Sequence, residues 1–124
     1  MRLLLDTHLL LWALASPTRL SSKTRQRLQE SEVFASAASI WEISIKAALG
    51  KLAASPNDVL SAIEPAGFEH LPVVGAHAAN VAKLPLLHRD PFDRLLLAQA
   101  SVEGLILLTN DDALGGYGAF VAVV

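Results

Sequence analysis

Short apolar runs, each stopped by a hydroxyl or an acid and followed at once by a helical pattern, constrain this chain more than any other feature. Leu3-Leu4-Leu5 is the first, unbroken in the manner of a parallel strand buried on both faces. Asp6 ends it, Thr7 is placed to cap the next segment, and Leu9, Leu10, Leu11, Trp12 and Leu14 continue as a helix with a broad apolar face. Val33–Ser36 repeats the pattern further along, and Leu105–Leu108 repeats its first half, an apolar run stopped by a hydroxyl and acids. Strands alternating with helices predict an α/β fold of three layers, a mostly parallel central sheet with helices on both faces. Right-handed crossovers then bring the carboxyl ends of the parallel strands to one edge, where open α/β sheets bind their ligands.

Between these runs the punctuation is regular. Ser16-Pro17 breaks the first helix, and Ser21 or Ser22 caps a second, through residue 31, whose Lys23, Arg25 and Arg27 read as a solvated basic face. The segment from Ala37 to Gly50 is the clearest helix, with Ser36 or Ser39 as its cap and Gly50 as a left-handed stop. In it Glu42 precedes Lys46 by four residues, which fits either an exposed ion pair or a carboxylate at the mouth of the sheet. Ser55-Pro56 opens a further helix ended by Pro65-Ala66-Gly67, and Phe68–Val74, interrupted by proline, reads as an edge strand. Gly75–Leu84 is an alanine-rich helix and residues 85–89 a loop. His70 and His77 are expected to be structural or exposed; His8 and His88 lie nearer the sheet edge but also lack a local partner.

Asp90-Pro91 is a strong helix start, and the helix runs to Gly104. Asp90 is assigned to capping. Asp93 heads a stripe that includes Leu96, Leu97 and Ala100, so it faces the core side and is assigned to chemistry. Thr109-Asn110-Asp111-Asp112 then closes the last long apolar run as Asp6-Thr7 closes the first. Gly115, Gly116 and Gly118 permit a turn, and Phe120–Val124 reads as a final strand.

A length of 124 residues fits a single domain, 1–124. No apolar run approaches the ~20 residues that span a bilayer, no secretory signal is evident, and cysteine is absent. The expectation is a cytoplasmic protein without a membrane partner. Apolar residues make up 52% of this small chain, a surplus that predicts coverage by another chain, most simply in a homodimer. A net charge of −2 argues against a general nucleic-acid coating protein.

Asp6, Glu42, Asp93 and Asp111 each end a strand or start a helix that follows one, so the fold predicts their convergence. Two carboxylates ~4 Å apart repel by roughly 4 kcal/mol at an effective dielectric of 20, so a cation or a proton must sit among them. Oxygen ligands without cysteine or a histidine pair favour Mg²⁺ or Mn²⁺, a combination suited to phosphodiester cleavage.

Leu3-Leu4-Leu5-Asp6-Thr7-His8, Ile40-Trp41-Glu42-Ile43, Asp90-Pro91-Phe92-Asp93-Arg94-Leu95-Leu96 and Leu108-Thr109-Asn110-Asp111 together resemble a PIN domain. They are most similar to the VapC-like toxin ribonucleases of bacterial toxin–antitoxin pairs. The resemblance implies a metal-dependent endoribonuclease in which Asp6, Glu42, Asp93 and Asp111 hold the cation, with RNA as substrate. Thr109, and with it Thr7, would be a supporting hydroxyl. Either Asp111 or Asp112 can be the fourth acid; the family pattern Thr-x-Asp favours Asp111. The family also implies a homodimer and a small antitoxin covering the active-site groove. Lys46 and Arg94 are expected to contact phosphates. Two other readings compete: a non-enzymatic α/β protein-binding module, in which every acid is a cap, and a phosphatase with Asp6 as nucleophile. The latter needs a second acid two residues on, where this chain has His8.

Overall fold

The computed structural model describes all residues from Met1 to Val124. Five strands, β1 (Arg2–Leu5), β2 (Glu32–Ser36), β3 (Glu69–Leu71), β4 (Ile106–Thr109) and β5 (Val121–Val123), form one sheet in the order β3-β2-β1-β4-β5. Every neighbouring pair is parallel. The helices are α1 (Thr7–Ala15), α2 (Ser22–Gln29), α3 (Ala37–Ala48), α4 (Pro56–Ala62), α5 (Gly75–Asn80) and α6 (Pro91–Glu103). The expected α/β architecture is present, with the sheet wholly parallel.

Alternation along the strands divides the core into two layers. Leu3, Leu5, Val33, Ala35 and Leu108 pack with Leu9, Leu10, Ile43, Val59 and Ile63 on one side. Leu4 and Leu107 point the other way and meet Leu96, Leu97, Ala100 and Leu114. Successive strand side chains face opposite ways, so the run Leu3-Leu4-Leu5 feeds both layers. Such a strand must be apolar throughout, as this one is.

Helix starts follow the expected chemistry with one change. Ser21, Ser36, Ser55 and Asp90 cap α2, α3, α4 and α6 through their side chains. At α1 the cap is Asp6, not Thr7: Asp6 has extended backbone and its Oδ1 accepts from the Leu9 N–H at 2.8 Å. Thr7 is already helical, which frees its hydroxyl for another partner. Gly50 and Gly104 take the left-handed conformation that ends α3 and α6.

The helix expected over residues 75–84 is shorter. α5 stops at Asn80 and tightens into a 3-10 turn at Val81–Lys83. Pro85 explains the change, since it lacks the N–H that the Val81 carbonyl would need in a longer α-helix. That carbonyl accepts instead from the Leu84 N–H at 3.2 Å and from Arg94 Nη2 at 3.1 Å. The glycine-containing turn before β5 is likewise a 3-10 segment, Asp112–Tyr117. His77 is buried, accepting from the Val74 N–H and lying 3.3 Å from Glu103 on α6, whereas His70 is exposed.

Chain order runs outward from β1 through β2 to β3 on one side and resumes with β4 and β5 on the other. The reversal falls between β1 and β4, and a crevice beyond the carboxyl ends of those strands is where such sheets bind ligands.

Candidate active site

Asp6 stands at that reversal. Its N–H bonds to the Leu108 carbonyl at 3.0 Å and so carries the β1–β4 ladder one residue past β1. Its carboxylate is almost wholly buried and both oxygens accept a hydrogen bond: Oδ1 caps α1 and Oδ2 accepts from the Thr109 hydroxyl. Burial pushes the Asp6 carboxyl above the usual range, and the bonds from Thr109 and the Leu9 N–H oppose that rise. A carboxylate so enclosed is a poor nucleophile, which removes the geometric basis for the phosphatase reading.

Thr109 Oγ1 also accepts from the Asp111 N–H at 3.0 Å. Asp111 in turn caps the following 3-10 segment, its Oδ1 accepting from the Ala113 N–H at 3.0 Å. Asp112, its neighbour, is exposed. The first acid therefore sets the backbone of the last through a single buried hydroxyl.

Glu42 is also buried, because it lies on the face of α3 that packs toward α1. Its Oε1 accepts from the Thr7 hydroxyl at 2.6 Å and its Oε2 pairs with Lys46 Nζ at 2.6 Å. The i,i+4 pair foreseen between Glu42 and Lys46 exists, but its acid is buried and its lysine half-exposed. The bond to Glu42 raises the Lys46 pKa, so the amine stays charged.

Asp93 and Asp111 differ from these two. Asp93 sits in the first turn of α6, half-buried. Burial raises its pKa to about 6, with Asp90 and Glu42 adding repulsion and a hydrogen bond from His88 opposing it. Asp93 Oδ1 and Asp111 Oδ2 have no protein hydrogen-bond partner, so this pair keeps lone pairs open to the crevice. The four acids thus separate into a buried pair bonded at both oxygens, Asp6 and Glu42, and a more open pair bonded at one oxygen each, Asp93 and Asp111.

Two side chains depart from expectation. His88, read as partnerless, brings Nε2 to 2.8 Å from Asp93 Oδ2. His88, Asp93 and Asp111 each present one ligand atom, all within 4.8 Å of one another. The signal lay in the spacing, because a chain that turns at Asp90-Pro91 to start a helix folds residue 88 back over residue 93. Arg94 does not face the crevice as a phosphate contact would. It is buried, and its guanidinium donates to the carbonyls of Val81, Leu84, Pro85 and His88 and to the Tyr117 hydroxyl. The reason is its place on α6: one residue after Asp93 is about 100° further round the helix, which points it at the 81–88 segment.

The model of the PIN domain matches residues 3–118. This chain belongs to the PIN domain family. Among solved structures, this PIN domain resembles a chain of VapBC2 from Rickettsia felis, bound to a DNA fragment from its promoter. The identity is 14%, the TM-score 0.71, and the match covers 100% of this chain and 98% of that one. DNA-bound VapBC from Salmonella typhimurium matches with 15% identity and a TM-score of 0.69, over 100% and 97% of the two chains. A domain of a functionally unknown Methanocaldococcus jannaschii protein follows, at 14% identity, TM-score 0.61 and 99% and 90% coverage. No curated protein matches it significantly in sequence. The PIN resemblance expected from the four acidic segments is borne out, and at these identities the solved neighbours establish the shared fold. No helix is long and apolar enough to cross a membrane.

Proposed function

We propose that this PIN domain is a metal-dependent endoribonuclease and the toxin of a toxin–antitoxin pair. The observation that carries the reading is the pair of open carboxylates, Asp93 and Asp111, at the switch point of the sheet beside two buried ones. Two acids with free lone pairs, one of them with its pKa raised to about 6, suit a hard divalent cation such as Mg²⁺ or Mn²⁺. Bound there, such a cation supplies Lewis-acid polarisation of a phosphodiester and a water of lowered pKa. The protein's own groups do the positioning. Asp6 fixes Thr109, and Thr109 fixes the backbone of Asp111. Thr7 and Lys46 hold Glu42 at the rim, where the Lys46 ammonium lies within reach of a phosphate drawn toward the acids. In this reading the protein acts in the cytoplasm, as one domain of 1–124, and pairs as a homodimer.

Partner binding rests on a separate feature. An open groove of about 730 Å³ runs between α3 and α4, lined by Ile40, Trp41, Leu60 and Pro72 among others. Trp41 is 58% exposed and packs edge-on against Phe92, beside Asp93. A cognate antitoxin lying in this groove would reach the acids, in keeping with the VapBC neighbours.

The test is cleavage of pooled cellular RNA with Mg²⁺ or Mn²⁺, beside EDTA and Asp93→Asn controls. Discrete fragments that need the metal and vanish in the variant are expected. Equal cleavage by the variant would remove Asp93 from the chemistry, and metal-independent cleavage would overturn the mechanism.

A further inference from the structure

We propose that His88 is a nitrogen donor to the cation held by Asp93 and Asp111, which makes the centre a mixed nitrogen–oxygen site that selects Mn²⁺ over Mg²⁺. This rests on the proposed function, in which the two open carboxylates hold a divalent cation.

Three observations carry it. First, the ligand atoms are spaced for a common ion. Donors ~2.1 Å from an octahedral ion lie about 3 Å apart when adjacent and about 4.2 Å apart when opposite. His88 Nε2 and Asp93 Oδ2 are 2.8 Å apart, and the three donor atoms of His88, Asp93 and Asp111 fall within 4.8 Å.

Second, His88 is held at both ends of its backbone. Its N–H donates to the Tyr117 hydroxyl at 2.9 Å, and its carbonyl accepts from Arg94 Nη1 at 3.3 Å. Arg94 also bonds Tyr117, and it has no carboxylate partner. A buried guanidinium, costly to desolvate, is thus spent wholly on neutral acceptors that shape the 81–88 segment. A loop with no task beyond connecting α5 to α6 has no need of that anchor.

Third, the other ring nitrogen is unengaged. His88 Nδ1 has no protein partner and the side chain is 22% exposed, so a proton on Nδ1 can be solvated once the Nε2 that meets Asp93 in the metal-free chain gives its lone pair to a cation. Imidazole is a poor ligand for Mg²⁺ and a good one for ions later in the first transition row, so a nitrogen in the set shifts preference toward Mn²⁺ and beyond. His8, exposed and lining a shallow crevice with Asn110, Asp111 and Asp112 but outside the His88–Asp93–Asp111 cluster, is the natural control.

The experiment is pulsed electron paramagnetic resonance on the purified chain loaded with Mn²⁺, with protein labelled by ¹⁵N-histidine, alongside Mn²⁺ and Mg²⁺ titrations. A histidine nitrogen coupling is expected in the parent and in His8→Gln, and its loss in His88→Gln. Mn²⁺ affinity of His88→Gln should fall about tenfold, while Mg²⁺ affinity moves by less than about twofold. The parent spectrum decides the matter even if the variant folds poorly. Bound Mn²⁺ without a nitrogen coupling, or a coupling that survives in His88→Gln, overturns the role of His88 and leaves the carboxylate site standing. A parent that binds no Mn²⁺ overturns both.

Discussion

The Thr109 hydroxyl donates to Asp6 Oδ2 across the joint between β4 and β1, joining residues 103 positions apart in the chain. Because Thr109 Oγ1 also accepts from the Asp111 N–H, one side chain couples the first acid of the site to the last. The acids at either end of the sequence are therefore set by a shared contact, and disturbing it reaches both.

Thr109→Val should remove the donor to Asp6 and the acceptor of Asp111 together. A loss of about 1–3 kcal/mol in folding stability is expected, the range for buried groups left unsatisfied. RNA cleavage should fall further than stability accounts for, because Asp111 loses its anchor. Thr109→Ser keeps the hydroxyl and should stay within about 1 kcal/mol of the parent, the worth of one buried methyl. Urea denaturation beside cleavage rates checks both. A Val variant as active as the Ser variant would show that the coupling is idle.

Asp93 carries the sharpest pH signature. Its folded pKa is raised to about 6 from 3.8, chiefly by burial. The folded chain holds that proton more tightly than the unfolded one, so the contribution is fully present below the unfolded pKa and is lost as pH rises through about 6. Without metal, Asp93→Asn should therefore be the more stable protein by roughly 1–3 kcal/mol near neutrality, and the two should converge near about pH 4. Thermal melts in EDTA across that range measure the difference. Divalent cation should reverse the order, since only the parent is stabilised by binding. A difference that does not change with pH would contradict the assignment.

Lys46→Met should test whether Glu42 depends on its pair. Glu42 is buried and Lys46 half-exposed, so the bond is worth less than in a dry core and more than on an open surface. A cost of about 1 kcal/mol is expected, persisting in ~1 M salt because the acid is shielded from solvent ions. If salt abolishes the cost, the contact is an ordinary surface pair.

Arg94→Lys conserves charge but not reach. An ammonium has three donors and cannot serve the four carbonyls and one hydroxyl that the guanidinium gathers. A loss of about 2–3 kcal/mol is expected, with faster amide hydrogen exchange confined to residues 81–89. Exchange that spreads evenly over α6 would mean the residue serves the helix and not the segment beside it.

The sheet was legible because its signals are local. Leu3-Leu4-Leu5 and Leu105–Leu108 are too short and too apolar for anything but buried strands, and Asp6 and Thr109 stop them in the same way. Asp90-Pro91 announces α6 because a cap and a fixed φ coincide there. What could not be read depends on contacts between segments. Asp6 and Thr7 are both able to cap, and only the backbone angles decide that Asp6 does so and Thr7 turns to Glu42. Arg94 looks like a free cation on a helix until the 81–88 segment is seen beneath it. His88 has no periodicity to betray it; its meeting with Asp93 is made by a corner, and corners leave little trace in hydropathy.

Asp93 and Arg94 are adjacent, one turned to the crevice and the other to the segment that carries His88. Connections of this kind ordinarily absorb insertions and deletions with little consequence. This one is different, because a residue added or removed between 81 and 90 would shift the carbonyls out of the reach of a fixed guanidinium. Natural length variation in proteins built on this plan should therefore gather elsewhere, as in the largely exposed link from Leu49 to Ser55. The stretch that looks most like slack in the chain is the one whose length is most tightly set.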